Sequence, residues 1–445
     1  MNQPVFHMHT LAGVRRARES GERQIEVSGF DSPDVLAMLL TSSDFPDSHV
    51  LVFANEGESH RFKRAVEFFS NSWTIQHLPA FDVSPYSGLY PNPRTVADRV
   101  AWSYSVYRPQ PFHFYTATVE SLSQRAITLE TLQANAFRFR KGQDVARTLA
   151  ESLVQIGYSP VPIVEDLATF AIRGSVIDIF SPAHSKPVRL DLFGDTIESI
   201  RLFDPGTQRS DEDLREAVII PAKEFVLNDE MRERSSRLFR QDLEQRKSEA
   251  SDAHVDSNQL IDDAEAQLVL HSLAQGTFFP GIDFLLPYMH EKFETPLDHV
   301  HPETSVWLIS PIETARAADV LEESLKREFK SSQSLPICPK PENLYRALEN
   351  WAFEHIKSTI TVSKLAIDQE PLRGDSFSPA MKITPEESNS IFSKSELSAQ
   401  LRLSSVELKF AAPTAQNPAG VEALARMQSW REKEETVIIA GGTAA

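Results

Sequence analysis

FAIRGSVIDIFSPAHSKPVRLDLFGDTIESIRLFDPGTQRS, residues Phe170 to Ser210, alternates apolar and polar side chains and is punctuated at Gly174, Ser181-Pro182 and Gly194-Asp195. Alternation of this period belongs to strands with one buried face, and the punctuation divides the stretch into two successive β-hairpins. In the second, Val188 to Phe193 and Thr196 to Phe203 are joined by the two-residue loop Gly194-Asp195, where glycine accepts positive φ. Unbroken pairing sets Phe193 opposite Thr196, Leu192 opposite Ile197, Asp191 opposite Glu198 and Leu190 opposite Ser199. Leu190, Leu192 and Ile197 then form a core face. Arg189, Asp191, Phe193 and Glu198 form the other. Two carboxylates directly opposite each other repel, so a cation is expected beside them, and Arg189 and Arg173 are the candidates. An aromatic among arginines on an exposed sheet face has the composition of a protein-binding hot spot. The plainer reading is a solvated face carrying a single Phe, and composition leaves both open.

Working outward, Ala136 to Arg140 (AFRFR) reads as a short strand, and Asp144 to Ile156 as a helix with Val145, Leu149 and Leu153 on one face, ended by Gly157. A helix on a mostly antiparallel sheet makes residues 132–222 an α+β domain. On its N-terminal side, strands at Gln24–Ser28, His49–Asn55 and Phe112–Thr118 alternate with helices at Pro33–Thr41, Ser59–Phe69 and Thr95–Tyr107. That order predicts a parallel sheet with helices on its faces over residues 1–131. The same architecture resumes within 223–413, where SVWLIS (Ser305–Ser310) is a buried-type strand and Ala315 to Phe329 an amphipathic helix. Before it, 223–275 reads as solvated helix or helix pair, and Phe278–Met289 as a Pro-broken apolar segment that packs on a core. Residues 367–397 are expected to be an irregular surface connection, followed by a strand at Val406–Phe410. Residues 414–445 comprise a linker, a helix at Val421–Glu434 and a strand at Thr436–Ala440. A buried-type strand there with no following helix suggests the start of a further domain in a longer protein.

The expected α/β domain lacks the signals of phosphate chemistry. The loop after its first strand reads Ser28-Gly29-Phe30-Asp31-Ser32-Pro33-Asp34, whereas a phosphate loop needs a second glycine and a Lys-Ser/Thr pair. Phe30 obstructs close backbone approach. Asp31 or Ser32 serves as N-cap with Pro33 at the first helical position, so the helix satisfies its own amides and puts acid where an anion would sit. SVWLIS ends in Ser310-Pro311 in place of the Asp-Glu pair that would hold Mg²⁺, and Glu313 is read as a first-turn helix residue. No cofactor is expected. Leu78 to Arg94 (LPAFDVSPYSGLYPNPR) is a functional-loop candidate by its length alone.

The formal net charge is −18, from 63 acidic and 45 basic residues, which repels a phosphate backbone in the absence of a dense basic cluster. Nucleic acid is therefore not expected to be this chain's own ligand. His7/His9 and His299/His301 lack a Cys or second His pair at zinc spacing and are read as solvent-exposed, with no metal site expected. No apolar run has membrane-spanning length, the N-terminus does not have signal-peptide form, and the single Cys338 suits a reducing compartment, so a cytoplasmic location and no membrane partner are expected.

GYSPVPIVEDLATFAIRGSVIDIFSP followed by PVRLDLFGDTIESIRLFDPGTQRS resembles the second domain shared by the excinuclease subunit UvrB and the bacterial transcription-repair coupling factors (Mfd); the ending RLFDPGTQRS is more like the latter. The resemblance is strong over roughly residues 155–210 and extends in domain order over about 20–413. It implies a degenerate helicase-like (RecA-like) α/β domain interrupted by the inserted α+β domain, as in the N-terminal UvrB-homology module of the coupling factors. The lysine-less loop at Gly29, Phe30, Asp31 and Ser32, and a segment at 78–94 with only Tyr86 and Tyr90, depart from UvrB itself. The resemblance also implies a partner, UvrA, the damage-recognition ATPase of nucleotide excision repair. The arginine of the RG step falls on Arg173, that of the RLDLF strand on Arg189 and the aromatic at its end on Phe193, with Asp191, Asp195 and Glu198 beside them. RNA polymerase and DNA would be engaged through parts of such a protein outside these residues, among them an ATP-driven translocase, and in the whole protein the docking face would be masked.

Three readings follow: a non-catalytic adaptor for UvrA, a UvrB-like ATP-dependent DNA-damage-binding subunit, and an unrelated acidic interaction module. They part on nucleotide binding. With no phosphate-loop lysine, titration of the chain with ATP is expected to show no saturable binding, and saturable binding would favour the UvrB-like ATPase.

Overall fold

The computed structural model describes residues 13–28, 32–42, 47–252, 261–363 and 381–383. The expected strand and helix of 406–440 and the linker between 413 and 420 lie outside them.

A seven-stranded sheet, all parallel, carries the α/β part: β1 (Gln24–Ser28), β2 (His49–Phe53), β3 (Thr74–His77), β4 (His113–Thr118), β13 (Ser305–Ile309), β14 (Thr359–Ser363) and β15 (Met381–Ile383). Its order is β15-β1-β14-β13-β2-β4-β3. The central strands HVLVF and SVWLI are buried at every position, as expected for strands covered on both faces. One cover is helix α1 (residues 13–19) with α2 (Pro33–Ser42) and α3 (Glu56–Phe69), which bring Leu36, Leu40, Phe62 and Val66 onto Val27, Phe53, Phe114 and Trp307. On the other face α4 (Pro93–Tyr107) and α5 (Val119–Ser123) supply Trp102, Val106 and Leu122. Capping decides where these helices start. Asn55 accepts from the Glu58 amide at 3.0 Å, so α3 begins three residues before the expected Ser59, and Asn92 accepts from the Arg94 amide at 2.9 Å with Pro93 in the first turn. β3 gave no sequence signal because TIQH is a short polar edge strand. β15 puts a strand inside the stretch expected to be irregular, pairing parallel with β1 from Ile25↔Met381 to Val27↔Ile383.

Between β4 and β13 the chain leaves this sheet. After α6 (Leu129–Ala134), β5 (Phe137–Arg140) pairs antiparallel with β12 (Glu216–Ile219), where Glu216 takes both Arg138 (2.8 Å) and Arg140 (3.0 Å). The helix expected over 144–156 shrinks to α7 (Leu149–Gln155). Its first residues are recruited to a strand edge instead: the Val145 amide donates to the Asp195 carbonyl at 2.8 Å and Asp144 bridges Thr196. Gly157, at φ 97°, ends the helix as expected.

A six-stranded sheet of order β11-β10-β9-β8-β7-β6 follows, formed by β6 (Ser159–Pro160), β7 (Thr169–Arg173), β8 (Val176–Ile179), β9 (Val188–Phe193), β10 (Thr196–Phe203) and β11 (Ser210–Asp213). The two expected hairpins are its centre. Ile177, Ile179, Val188, Leu190, Ile197 and Ile200 pack one face against Leu149, Leu153 and Ile156 of the α7 region. Then come the charged helix pair α8 (Asp229–Asp252) and α9 (Asp263–Gln275), the buried segment around α10 (Leu286–Met289), and, after β13, α11 (Pro311–Ser331), which has Glu313 in its first turn.

His299 is not solvent-exposed as its sequence context suggested. It is buried, with Nε2 at 3.3 Å from the Glu294 carboxylate, because the Pro296–His299 turn folds into the core beside Leu297. His7 and His9 lie outside the described residues. Leu78 to Arg94 is packed as well as long: Tyr86 is buried and donates its hydroxyl to the Pro339 carbonyl at 2.8 Å, while Leu89 and Tyr90 remain exposed.

β5 and β12 form a separate two-stranded sheet, and the segment after β12 is joined to the helix cover of the parallel sheet by an ion pair sealed from water. Arg99 of α4 meets Glu224, just past β12, with Nε at 3.2 Å from the carboxylate and both side chains at or below 1% exposure. Arg99 also donates to Gln124 Oε1 (2.7 Å) and to the carbonyls of Pro79 (3.1 Å) and Ser121 (3.3 Å), and lies over the Phe81 ring. Burial pushes the Glu224 carboxyl upward, and Arg99 opposes that shift. Arg99→Ala strands a buried carboxylate and is expected to cost about 3–5 kcal/mol in urea unfolding, whereas Arg99→Met with Glu224→Leu recovers much of it. Equal losses in the two variants would contradict this account.

Candidate docking face on the antiparallel sheet

The solvent-side face of the six-stranded sheet is built in cross-strand rows. Ala171, Asp178, Arg189 and Arg201 stand abreast on β7, β8, β9 and β10. Two residues further along, Arg173, Val176, Asp191 and Ser199 form the next row, and Phe193 with Thr196 closes the hairpin. Period-2 alternation thus delivers Arg173, Arg189, Asp191 and Phe193 to one face.

The centre of this face is a residue that the sequence reading did not single out. Asp178 is wholly buried, and both arginines converge on it. Arg189 binds it in fork geometry, Nε to Oδ1 at 2.7 Å and Nη2 to Oδ2 at 2.9 Å, while Arg173 reaches Oδ2 from the next row. Arg189 is further held by the Gln208 carbonyl at 3.1 Å and stacks over the Phe203 ring at 4.3 Å. Gln208 adopts φ 60° in the DPGTQRS turn, and its side-chain amide donates to the carbonyls of Pro205 (2.7 Å) and Val164 (3.0 Å), which explains why a loop so far from the hairpin in register belongs to it. The hydrogen bonds to Asp178 raise the Arg189 pKa above its ordinary value. The signal for Asp178 was present in VIDIF, an acid between two strand isoleucines, but its partner becomes evident only once β8 is laid against β9.

The expected register holds at Phe193↔Thr196 and Leu192↔Ile197 and then fails. A bulge at Glu198 puts Asp191 opposite Ser199 and Leu190 opposite Ile200. Residues 142–143 occupy the far side of β10 here, the Gly142 amide donating to the Ile197 carbonyl (2.8 Å) and the Ile197 amide to the Gln143 carbonyl (2.9 Å). Asp191 and Glu198 therefore do not oppose each other, and the expected repulsion is absent. Asp191 accepts from Ser199 Oγ at 2.5 Å and pairs with Arg201, another residue the sequence reading passed over. Burial works against its charge, yet those two hydrogen bonds hold its carboxyl below the usual range. The arginines answer Asp178, and Arg201 answers Asp191. Glu198 points to solvent. Asp195, at the exposed turn, lies 3.7 Å from Arg147.

Phe193 ends the strand with 81% of its surface exposed, beyond the last ring contact that would bury it. Gly194 takes φ 66° while Asp195 stays at negative φ, so the turn is made with glycine first and the aromatic is presented at the hairpin tip. Arg173 is 45% exposed and Arg189 16%. Phe193 and Arg173 are thus available to a partner. Arg189 is mostly spent inside the sheet.

This face lies in a segment with a known counterpart. Residues 137–225 match the UvrB interaction domain. The chain is also similar to transcription-repair-coupling factors: that of Myxococcus xanthus is 35% identical over 277 residues, covering 60% of this chain and 22% of the relative. Those of Escherichia coli (24% over 302 residues; 66% and 25%) and Haemophilus influenzae (25% over 272 residues; 61% and 22%) are further examples. The chain spans about a fifth to a quarter of the length of these relatives. The UvrB interaction domain contains both sheet faces, Asp178 and every docking candidate named above. Of the nucleotide-loop candidates, Gly29, Phe30 and Asp31 lie outside the described residues, while Ser32 accepts from the Val35 amide at 3.5 Å at the start of α2. Among the described residues no helix is long and apolar enough to cross a membrane.

Asp178→Asn removes the charge that both arginines require in a dry site and is expected to lower stability by about 3–5 kcal/mol in urea unfolding. Glu198→Gln, in the exposed bulge, leaves the midpoint where it was. Comparable losses in the two would show that Asp178 is not the organising charge.

Proposed function

We propose that this chain is a non-catalytic adaptor that recruits UvrA to DNA lesions at stalled RNA polymerase, and that UvrA docks on the outer face of the UvrB interaction domain. The observation that carries the reading is Phe193, a large aromatic presented to solvent at the hairpin tip beside a half-exposed arginine, inside the segment that matches that domain. Aromatic and arginine side chains on a pre-ordered surface are the usual anchors of a protein interface. The names of the relatives supply the setting, transcription-coupled repair, and contact with RNA polymerase and DNA is assigned to the remainder of such a protein.

In this reading the individual residues take distinct roles. Phe193 fills a pocket on the partner and Arg173 offers its outward N–H groups to a carboxylate, while Asp191 and Arg201 border the contact. Arg189 acts through Asp178 as a positioning residue, keeping Arg173 in place. Asp195 and Glu198 lie at the rim, where charges tune association rate more than affinity.

Titration of UvrA with wild type, Phe193→Ala and Arg173→Ala is expected to show losses of about 2–4 kcal/mol each, with unfolding midpoints preserved for Phe193→Ala. Arg189→Lys, which keeps the charge and loses the fork, should weaken binding less than Arg173→Ala while lowering stability more. Unchanged affinity in Phe193→Ala and Arg173→Ala would remove the site; no UvrA binding by the wild type would leave the unrelated interaction module as the better reading.

A further inference from the structure

On the far edge of the parallel sheet, away from the docking face, three side chains with metal-binding chemistry converge. Glu56 opens α3 directly after the Asn55 cap, His60 follows it at i+4 on the same helix face, and His77 ends β3. Their nearest donor atoms all lie within 4.8 Å of one another. His77 Nε2 is 2.7 Å from a Glu56 carboxylate oxygen, and the two imidazole rings are 5.6 Å apart between centroids. That oxygen is shielded from solvent yet forms no well-directed hydrogen bond, so the close approach to His77 leaves it a lone pair to offer.

The surroundings orient the ligands. His77 Nδ1 lies 3.1 Å from Ser59 Oγ and 3.0 Å from Thr116 Oγ1, both buried hydroxyls, which turn its Nε2 toward Glu56. Anchoring the distal ring nitrogen while the other faces the ion is the ordinary outer arrangement of a metal-bound histidine.

We infer that Glu56, His60 and His77 form a binding site for a divalent transition metal ion of the zinc class. Two imidazole nitrogens and one carboxylate oxygen match the ligand set of a tetrahedral zinc ion with a fourth position open to water, at about 2.0–2.2 Å from each donor. His60 is the exposed member of the three and Glu56 and His77 are half-buried, so the open position for water lies on the His60 side. Entry of the ion replaces the direct Glu56–His77 contact and ties α3 to the edge strand β3. Sequence spacing did not show this site because two ligands lie on helix α3 and the third on strand β3, and each histidine reads singly as a surface residue.

Isothermal titration of the metal-stripped full chain with Zn²⁺ is expected to show saturable binding of one ion. His60→Ala and Glu56→Gln should each weaken it by at least about tenfold, while His301→Ala leaves it unchanged. Both variants alter partly or fully exposed side chains, so thermal unfolding of the metal-free forms should match the wild type. Co²⁺ substitution gives a second readout, visible d–d absorption in the wild type that is lost in His60→Ala. Absence of saturable Zn²⁺ uptake, or uptake by both variants with wild-type affinity, overturns the assignment.

Discussion

A carboxylate with no access to water must be paired, and Asp178 is such a carboxylate in the middle of the antiparallel sheet. The outer face of the second hairpin follows from that requirement. Arg189 commits its whole fork to Asp178, takes the Gln208 carbonyl and lies on Phe203, so β8, β9, β10 and the DPGTQRS turn are tied through one guanidinium. Arg173 adds a second cation to the same carboxylate and, being nearer the rim, keeps part of its surface outside. A long flexible cation is thereby held in place before any partner arrives, which lowers the ordering cost that an interface otherwise pays.

A second sealed charge pair ties the segment that follows β12 to the parallel-sheet body. Arg99 comes from the helix covering the parallel sheet and Glu224 from the segment that leaves β12. The pair is enclosed by Gln124, two backbone carbonyls and an aromatic ring. Neither charge can be rehydrated without opening the junction, so the pair acts on relative placement more than on net stability. The docking face is therefore carried on a body whose attachment is specified and not merely hydrophobic.

The six-stranded sheet presents its chemistry on a face and the parallel sheet at an edge, and the two differ in kind. The outer face of β7, β8 and β9 offers an exposed aromatic with pre-paired arginines, suited to a protein surface. At the parallel sheet's β3 edge, imidazole and carboxylate converge under the control of buried hydroxyls, suited to a small hard-to-borderline cation. Tyr86 and Cys338 lie in a separate buried cluster, where burial pushes the thiol up to about 11 and keeps it unreactive.

The strands and helices of both sheets were legible in the sequence wherever burial follows a period: HVLVF and SVWLI as two-sided strands, and the alternation of Phe170 to Phe203 as hairpins with Leu190 and Ile197 inward. The face carrying Arg173, Arg189 and Phe193 was legible for the same reason, since side-chain direction in a strand depends only on parity. Tertiary structure decided what parity does not encode. The bulge at Glu198 arises because residues from before α7 occupy the other side of β10, and it separates Asp191 from Glu198. The same recruitment shortened the helix expected from Asp144. Asp178 became the organising charge only when β8 met β9, and His77 met Glu56 and His60 only when β3 took its place at the sheet edge. Local periodicity determines which way each side chain faces; long-range pairing alone determines what it meets there.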